Sequence, residues 1–145
     1  MRRMPAFTIM ELIVVIVIIG ALAALALPSY RIQMLKMKNP EGTRVLLAVW
    51  EAQKEYYREN GVYFAGTISD INSQMAITIP PLKYFTGLAA ESSGSVSCTG
   101  PAVPYLAGVV SNDSSYQLRV LEEGRVVCHP CAASLCQQMG FKADW

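Results

Sequence analysis

The chain has 145 residues, of which 52% are hydrophobic, and its formal net charge is +1. This length suffices for one apolar helix and one small globular domain. A nearly balanced charge gives no strong field toward nucleic acid. We find no P-loop, hydrolase nucleophile elbow, Rossmann glycine pattern or paired carboxylates, so we predict neither an enzyme nor a cofactor-binding protein.

The first informative element is the apolar run from Phe7 to Leu27, which contains one ionisable side chain, Glu11. As a helix this run is about 30 Å long, the thickness of a bilayer hydrocarbon core. Arg2 and Arg3 precede it, and positive charge there favours a cytoplasmic N-terminus. No small-x-small cleavage site follows the run, so we predict a membrane-spanning helix that stays on the mature chain.

Glu11 is unusual, because a carboxylate inside a membrane-spanning helix is costly and often functional. The alternative is an acid at headgroup level. The surrounding sequence favours a function: a short basic leader ends at Ala6, Phe7 follows, and Glu11 stands four residues further on. An unbroken apolar helix then reaches Pro28 and Tyr30. Together these features resemble the N-terminus of type IV pilins and of the pseudopilins of type II secretion systems.

The resemblance implies roles for three residues. A prepilin peptidase would cut between Ala6 and Phe7 and N-methylate the new amine of Phe7. Glu11 would pair with the Phe7 ammonium of a neighbouring subunit as the chains polymerise into a filament. The family usually has Gly before the cut, whereas this chain has Ala6, so we expect slower cleavage.

The resemblance also implies partners and a location. The precursor would cross the inner membrane once and meet the prepilin peptidase and the pilus assembly machinery. The mature subunit would form a homo-oligomeric pilus on the cell surface. Within this superfamily, two C-terminal disulfides and the lack of an Asp-rich calcium loop favour a pilin over a pseudopilin.

Prolines and glycines divide the helical part of the sequence. Pro28 is predicted to bend the helix, because proline removes an intrahelical hydrogen bond. The segment Asn39-Pro40-Glu41-Gly42 indicates a second kink or a short break, with Asn39 capping a helix that restarts at Pro40. The predicted organisation is a leader at 1–6, a transmembrane or filament-core half-helix at 7–28, an amphipathic half-helix at 29–61, and an extracytoplasmic loop and sheet at 62–145.

Residues Thr43 to Asn60 are predicted to form an amphipathic helix that ends at Gly61. Its apolar stripe should pack on a sheet of the same chain, and its charged side should face solvent. The stripe comprises Val45, Ala48, Val49, Ala52 and Tyr56, widened by Leu46, Trp50 and Tyr57; the solvated side comprises Glu51, Lys54, Glu55 and Arg58.

The rest of the chain reads as short strands between turn signals, after a loop at 62–81 with a helical turn near Ile68–Asn72. The last three strands should form an antiparallel meander, because Asn112-Asp113 and Glu123-Gly124 mark tight turns between them. A helix laid on such a sheet gives an α+β fold of the type IV pilin kind. The predicted strands are Leu82–Glu91, Pro104–Ser111, Ser115–Glu122 and Arg125–His129.

All four cysteines lie in the part predicted to be outside the cytoplasm, where disulfides persist. Four cysteines allow three full pairings. We favour Cys128–Cys136, which closes the C-terminal segment on itself, with Cys98–Cys131, which ties that segment to the preceding loop. The second choice is Cys98–Cys128 with Cys131–Cys136.

The sequence CHPC at 128–131 could also indicate a redox-active dithiol or a zinc site. Cys128-x-x-Cys131 matches a thiol-redox motif, but that motif requires a thioredoxin-like βαβ fold, which the strand pattern does not predict. A zinc site from cysteines with His129 is possible by ligand type but disfavoured in an oxidising compartment. We therefore predict no metal site and expect His129 to be a loop residue.

Two classes of function remain open from the sequence. The first is a filament subunit, either a pilin or a pseudopilin. The second is a membrane-anchored binding or redox domain that uses a similar helix only as an anchor. The role of Glu11 distinguishes the two classes, because filament assembly requires its carboxylate and a membrane anchor does not.

Overall fold

The structure, a computed structural model, describes residues 8–75, 77–96, 102–130 and 134–141. These residues form two compact units that divide between Met34 and Leu35. The predicted α+β layout, a long N-terminal helix followed by a small antiparallel sheet, is confirmed. The elements are α1 (Ile9–Asn60), β1 (Gly66–Thr67), α2 (Ile68–Gln74), β2 (Phe85–Val96), β3 (Val103–Ser111), β4 (Gln117–Leu121), β5 (Val126–His129) and α3 (Ser134–Gln138).

The break predicted at residues 39–42 is wrong, because α1 passes through them without interruption. Asn39 does not cap a helix end. It is buried, and its Oδ1 accepts a hydrogen bond from the Tyr116 hydroxyl at 2.8 Å. Its amide Nδ2 donates to the Met139 sulfur at 3.5 Å. A residue type that usually starts helices thus serves here as a buried polar contact between α1 and the rest of the second unit.

Gly42 marks a close approach of α1 to the sheet. A Cβ at this position would lie 3.0 Å from the Phe85 ring and 3.0 Å from a Leu118 methyl group. The glycine that suggests a helix stop in the sequence is therefore required by packing. The bends at Pro28 and Pro40 stay predictions.

The five strands form one antiparallel sheet in the order β1-β2-β3-β4-β5. This arrangement confirms the predicted meander of the last three strands. The predicted helical turn is also confirmed as α2. The prediction for β2 was wrong at both ends, because the strand begins at Phe85 and runs to Val96. Two short elements, β1 and α3, were not predicted; they have 2 and 5 residues, too few to show a periodic pattern.

The core of the second unit lies between α1 and one face of the sheet. Leu46 and Val49 are fully buried there, as predicted. Ala48 and Tyr57, which were assigned to the packed stripe and to its widened part, are both exposed. At 100° per residue, Ala48 is turned about 160° from Leu46 and about 100° from Val49, so it lies off the packed face. The remaining buried aliphatic residues of this core come mainly from the strands, and include Leu88, Ala107, Val109, Leu118 and Val120.

Polar side chains on α1 also fix the connections around the sheet. Gln53 is fully buried, and its amide pairs with both backbone groups of Phe64, accepting from N–H at 2.8 Å and donating to C=O at 2.7 Å. The Trp50 indole N–H donates to the Glu122 carbonyl at 2.9 Å. Trp50 also lies against the β4–β5 turn, where Gly124 has a φ of +89° and a Cβ would stand 2.7 Å from the ring.

A disulfide joins Cys128 on β5 to Cys136 on α3. The second-choice pairing is therefore wrong, because Cys128 and Cys136 are bonded to each other. This bond also excludes Cys128 as a zinc ligand or as the thiol partner of Cys131. The expectation that His129 is a loop residue is wrong, because it is the last residue of β5 and pairs with Gln117. Cys98 and Cys131 lie outside the described residues, so their pairing stays a prediction.

Candidate assembly segment

The helix α1 begins next to the acid that the sequence singles out. The Thr8 hydroxyl oxygen accepts a hydrogen bond from the Glu11 backbone N–H at 3.2 Å, and the Thr8 carbonyl accepts from Leu12 N–H at 3.2 Å. A side-chain oxygen in this position satisfies one of the free N–H groups of the first turn. The Glu11 carboxylate in that turn also interacts favourably with the positive end of the helix dipole.

Residues Ile9–Ala26 form a helix long and apolar enough to cross a membrane, and none of it is buried. The side chains of Ile9 and Leu25 are 79% and 77% exposed. Monomeric soluble proteins rarely expose so large an apolar surface, and larger exposed patches mark contacts with proteins or membranes. The core helix of a soluble protein is mostly buried, which this segment is not, whereas a signal sequence passes the same test of length and composition.

Glu11 is a charged side chain among apolar neighbours. It is exposed and is the single acid or base in the window Ile9–Ala26. Once that surface is covered by lipid or by other helices, the carboxylate needs a cation or hydrogen-bond donors. The positions of Ala6 and Phe7, the residues of the predicted cleavage site, lie outside the described residues.

Small residues accompany the bulky ones in this segment. Apart from its chain neighbours and the backbone of its own helix turn, nothing lies within 4 Å of where a Cβ of Gly20 would stand. Gly20, Ala21, Ala23, Ala24 and Ala26 allow a second helix to approach closely. The segment therefore offers what a helix-packing surface requires: a continuous apolar area, sites of close approach and one acid.

The second unit holds its own part of α1 firmly against the sheet. The two oxygens of Glu41 accept hydrogen bonds from the backbone N–H groups of Lys83 and Tyr84, each at 2.8 Å. These two groups lie just before β2. Sequence reasoning missed this contact, because an acid in a segment with Pro and Gly was interpreted as part of a helix break.

Titratable groups in this unit have structural partners. Burial and a hydrogen bond to the Glu122 carboxylate, 2.9 Å from its hydroxyl, raise the pKa of Tyr63 to about 12. Burial raises the pKa of Tyr116 to about 12 as well, with the charge of Asp113 contributing. Burial and the nearby Arg119 lower the pKa of His129. Among the described residues no group of three or more His, Cys, Asp or Glu side chains could hold a metal ion.

Two curated proteins resemble this chain over part of its length. A 61-residue stretch is 38% identical to the type IV major pilin protein PilA of Myxococcus xanthus and covers 42% of this chain and 28% of that protein. The chain is similar to type IV pilins. A 57-residue stretch is 40% identical to the fimbrial protein EcpC of Eikenella corrodens and covers 39% of this chain and 37% of that protein.

These relatives confirm the resemblance to the type IV pilin superfamily, and neither is named as an enzyme. The matches span less than two fifths of either relative, so they do not extend to the whole of those proteins. No family model matches the chain. No solved structure matches it either.

Proposed function

We propose that the chain is a structural subunit of a type IV pilus, processed at its N-terminus and polymerised through its N-terminal helix. The observation that carries this proposal is the exposed apolar segment Ile9–Ala26 with Glu11 as its single ionisable residue. The similarity to two pilus proteins supports the same conclusion.

In this proposal a prepilin peptidase cuts between Ala6 and Phe7 and methylates the new Phe7 amine. The precursor waits in the inner membrane with residues 7–28 inserted and the second unit outside the cytoplasm. The assembly machinery then moves the subunit into the filament, where apolar segments of neighbouring copies cover one another.

Glu11 has a defined task in this scheme. A carboxylate at mid-bilayer costs about 2.5–3.5 kcal/mol on insertion scales, and an acid near the helix end costs less. Pairing with the Phe7 ammonium of another copy removes two unpaired charges from apolar surroundings. Desolvation offsets much of the Coulomb attraction, so the pair sets the register of neighbouring helices more than it adds stability.

The disulfides fit a protein that must persist outside the cell. Cys128–Cys136 fixes the C-terminal α3 to β5. We propose that Cys98 and Cys131 form the second disulfide. Both bonds would form after export, because the cytoplasm keeps thiols reduced.

Intact mass of protein sheared from cells tests the proposal. We expect the mass of residues 7–145 plus one methyl group, less the hydrogens lost in two disulfides. Ala6→Gly is the matched variant: it should give the same mature mass and leave less uncut precursor in the membrane. Sheared protein that retains residues 1–6 would contradict the proposal.

Two alternatives predict other outcomes. A pseudopilin would be processed in the same way but would not accumulate in sheared surface filaments at its normal expression level. A membrane-anchored binding domain would stay in the membrane fraction regardless of Glu11.

A further inference from the structure

A groove lies along one flank of α1 in the second unit. One wall is formed by α1 and the other by residues that follow α3, so we call it the α1–α3 groove. Its volume is about 490 Å³, within the range of roughly 300–1,000 Å³ that is usual for ligand pockets. Its lining includes Lys36, Asn39, Pro40, Arg44, Met139 and Phe141.

The groove combines apolar walls with positive charge. Pro40 and Phe141 supply apolar surface, whereas Lys36 and Arg44 are basic and exposed. Among the described residues, no acid lines the groove and neither basic residue forms an ion pair. The groove therefore suits an occupant that offers a large apolar side chain and a negative charge close to it.

The polar groups of Asn39, which also lines the groove, already have partners. Its amide Nδ2 donates to the Met139 sulfur at 3.5 Å, and its Oδ1 accepts from the Tyr116 hydroxyl at 2.8 Å. An occupant therefore does not have to supply hydrogen bonds to this residue. Apolar contact and charge at the basic residues decide what fits.

A segment with these properties follows the groove directly in the sequence. Residues 142–145, with the sequence Lys-Ala-Asp-Trp, come after Phe141 and lie outside the described residues. Four extended residues reach about 14 Å, whereas Lys36 and Arg44 are about 12 Å apart along the axis of α1. The segment is therefore long enough to reach any part of the groove from Phe141.

We propose that residues 142–145 dock in the α1–α3 groove of their own chain. The Trp145 ring lies against Pro40 and Met139, and the Asp144 carboxylate lies beside Arg44. Lys142 stays outside the groove, because the basic residues there repel it. This inference does not rest on the proposed function, since all its contacts are within one chain.

The expected energetics favour this occupant. A tryptophan side chain buries about 150–250 Å² in such a contact, and methionine sulfur packs well against aromatic rings. A neighbouring cation adds attraction to the ring face. Covalent attachment to Phe141 gives the segment an effective concentration in the millimolar range, so even a weak contact keeps the groove filled. An exposed ion pair is weak, so Asp144 mainly selects the position of the segment.

Docking would complete the attachment of the C-terminal region. The disulfide Cys128–Cys136 holds α3 to β5. The docked segment would hold the chain beyond α3 to α1, so the region would be fixed on both sides. It would also cover this flank of α1 and keep other ligands out of the groove.

Nuclear magnetic resonance of the full chain in detergent, with carbon-13 methionine methyl groups, tests the location. The Met139 methyl group should show a nuclear Overhauser effect to the Trp145 indole and a ring-current shift that disappears in Trp145→Leu. Met75, a buried residue outside the groove, is the matched control and should keep its signal. A Met139 signal that is the same in both chains would overturn the proposal, including the case in which detergent or lipid fills the groove.

Tryptophan fluorescence gives an independent measurement. The chain has two tryptophans, so Trp50→Phe leaves Trp145 as the reporter. Its quenching by acrylamide should be several-fold weaker in the folded chain than in denaturant. Equal quenching in the two states would overturn the docking.

Charge reversal in the same Trp50→Phe background tests the position of the segment. Arg44→Glu and Asp144→Arg should each shift the docking equilibrium toward the open state by about fivefold, and the double reversal should restore it. Arg58→Glu, which reverses an exposed basic residue of α1 outside the groove, is the matched control and should leave the quenching unchanged. Failure of the double reversal to restore protection would overturn the proposed pairing of Asp144 with Arg44.

Discussion

The two units of this chain handle apolar side chains in opposite ways. In the second unit, Leu46 and Val49 are fully buried against the sheet. In the first unit, residues Ile9–Ala26 are as apolar as a protein core, yet none is buried. Burial of apolar area is the main favourable contribution to folding. The second unit therefore gains stability by burying apolar side chains within one chain, whereas the first leaves its apolar side chains exposed.

The polar side chains of the two units also differ in whether they have partners inside the chain. Buried polar groups of the second unit have partners inside the chain, as Gln53 does with Phe64 and Asn39 with Tyr116. Among the described residues of the first unit, Glu11 makes a hydrogen bond through its backbone N–H, and no hydrogen bond or ion pair to its carboxylate is found. A mutation of a buried residue in the second unit should thus affect folding. A mutation in the first unit should affect assembly instead.

The largest difference is expected for matched leucine truncations. Leu46→Ala should lower the free energy of unfolding of the second unit by about 2–5 kcal/mol, because it removes buried methyl groups and leaves a cavity. Leu22→Ala, in the exposed run, should leave that free energy unchanged. Denaturant unfolding of the full chain in detergent, followed by tryptophan fluorescence, measures both. Equal losses would show that the two units do not fold independently.

A smaller effect is expected at the contact between α1 and the start of β2. Glu41→Gln should lower the free energy of unfolding by about 1–2 kcal/mol, because one of two hydrogen bonds to a charged acceptor is replaced by an unfavourable contact between N–H groups. Glu51→Gln, on the exposed side of α1, is the matched control. The same unfolding measurement applies, and an unchanged midpoint for Glu41→Gln would contradict the assigned role.

The smallest effect concerns acid stability of the β3–β4 turn. Hydrogen bonds from Ser111 and Ser115 lower the pKa of Asp113 below its ordinary value of 3.8. A carboxyl whose pKa is lower in the folded state contributes stability above its unfolded pKa and loses it as the pH falls through the folded pKa. Asp113→Asn should therefore be less stable than wild type by about 0.5 kcal/mol at pH 7. The difference should shrink below pH 3.8. Unfolding curves at both pH values test this sign.

The parts of the fold with strong periodic patterns could be predicted from the sequence. The apolar run, the amphipathic half-helix and the three-strand meander each have many residues that indicate the same structure. The continuity of α1 could not be predicted, because local signals at Asn39 and Gly42 indicate a break. Contacts with Tyr116 and Phe85 override those signals, and such contacts are visible only in three dimensions.

The candidate assembly segment was predictable for a different reason. Glu11 stands out because its neighbours are apolar, so composition alone identifies it. Gln53 and Glu41 were missed because a polar residue on an otherwise ordinary helix gives no sign of a buried backbone partner. Their roles depend on where Phe64 and the start of β2 lie relative to α1.

The most direct test of the central claim is the distribution of Glu11→Gln protein between the membrane and sheared filaments. Removing one partner of a buried ion pair costs about 3–5 kcal/mol, so the filament fraction should fall by on the order of 100-fold or more. The membrane pool should stay intact, because a neutral side chain inserts more readily. Glu11→Asp, which keeps the charge on a shorter side chain, should give an intermediate yield. Filaments of Glu11→Gln at the wild-type yield would contradict the account.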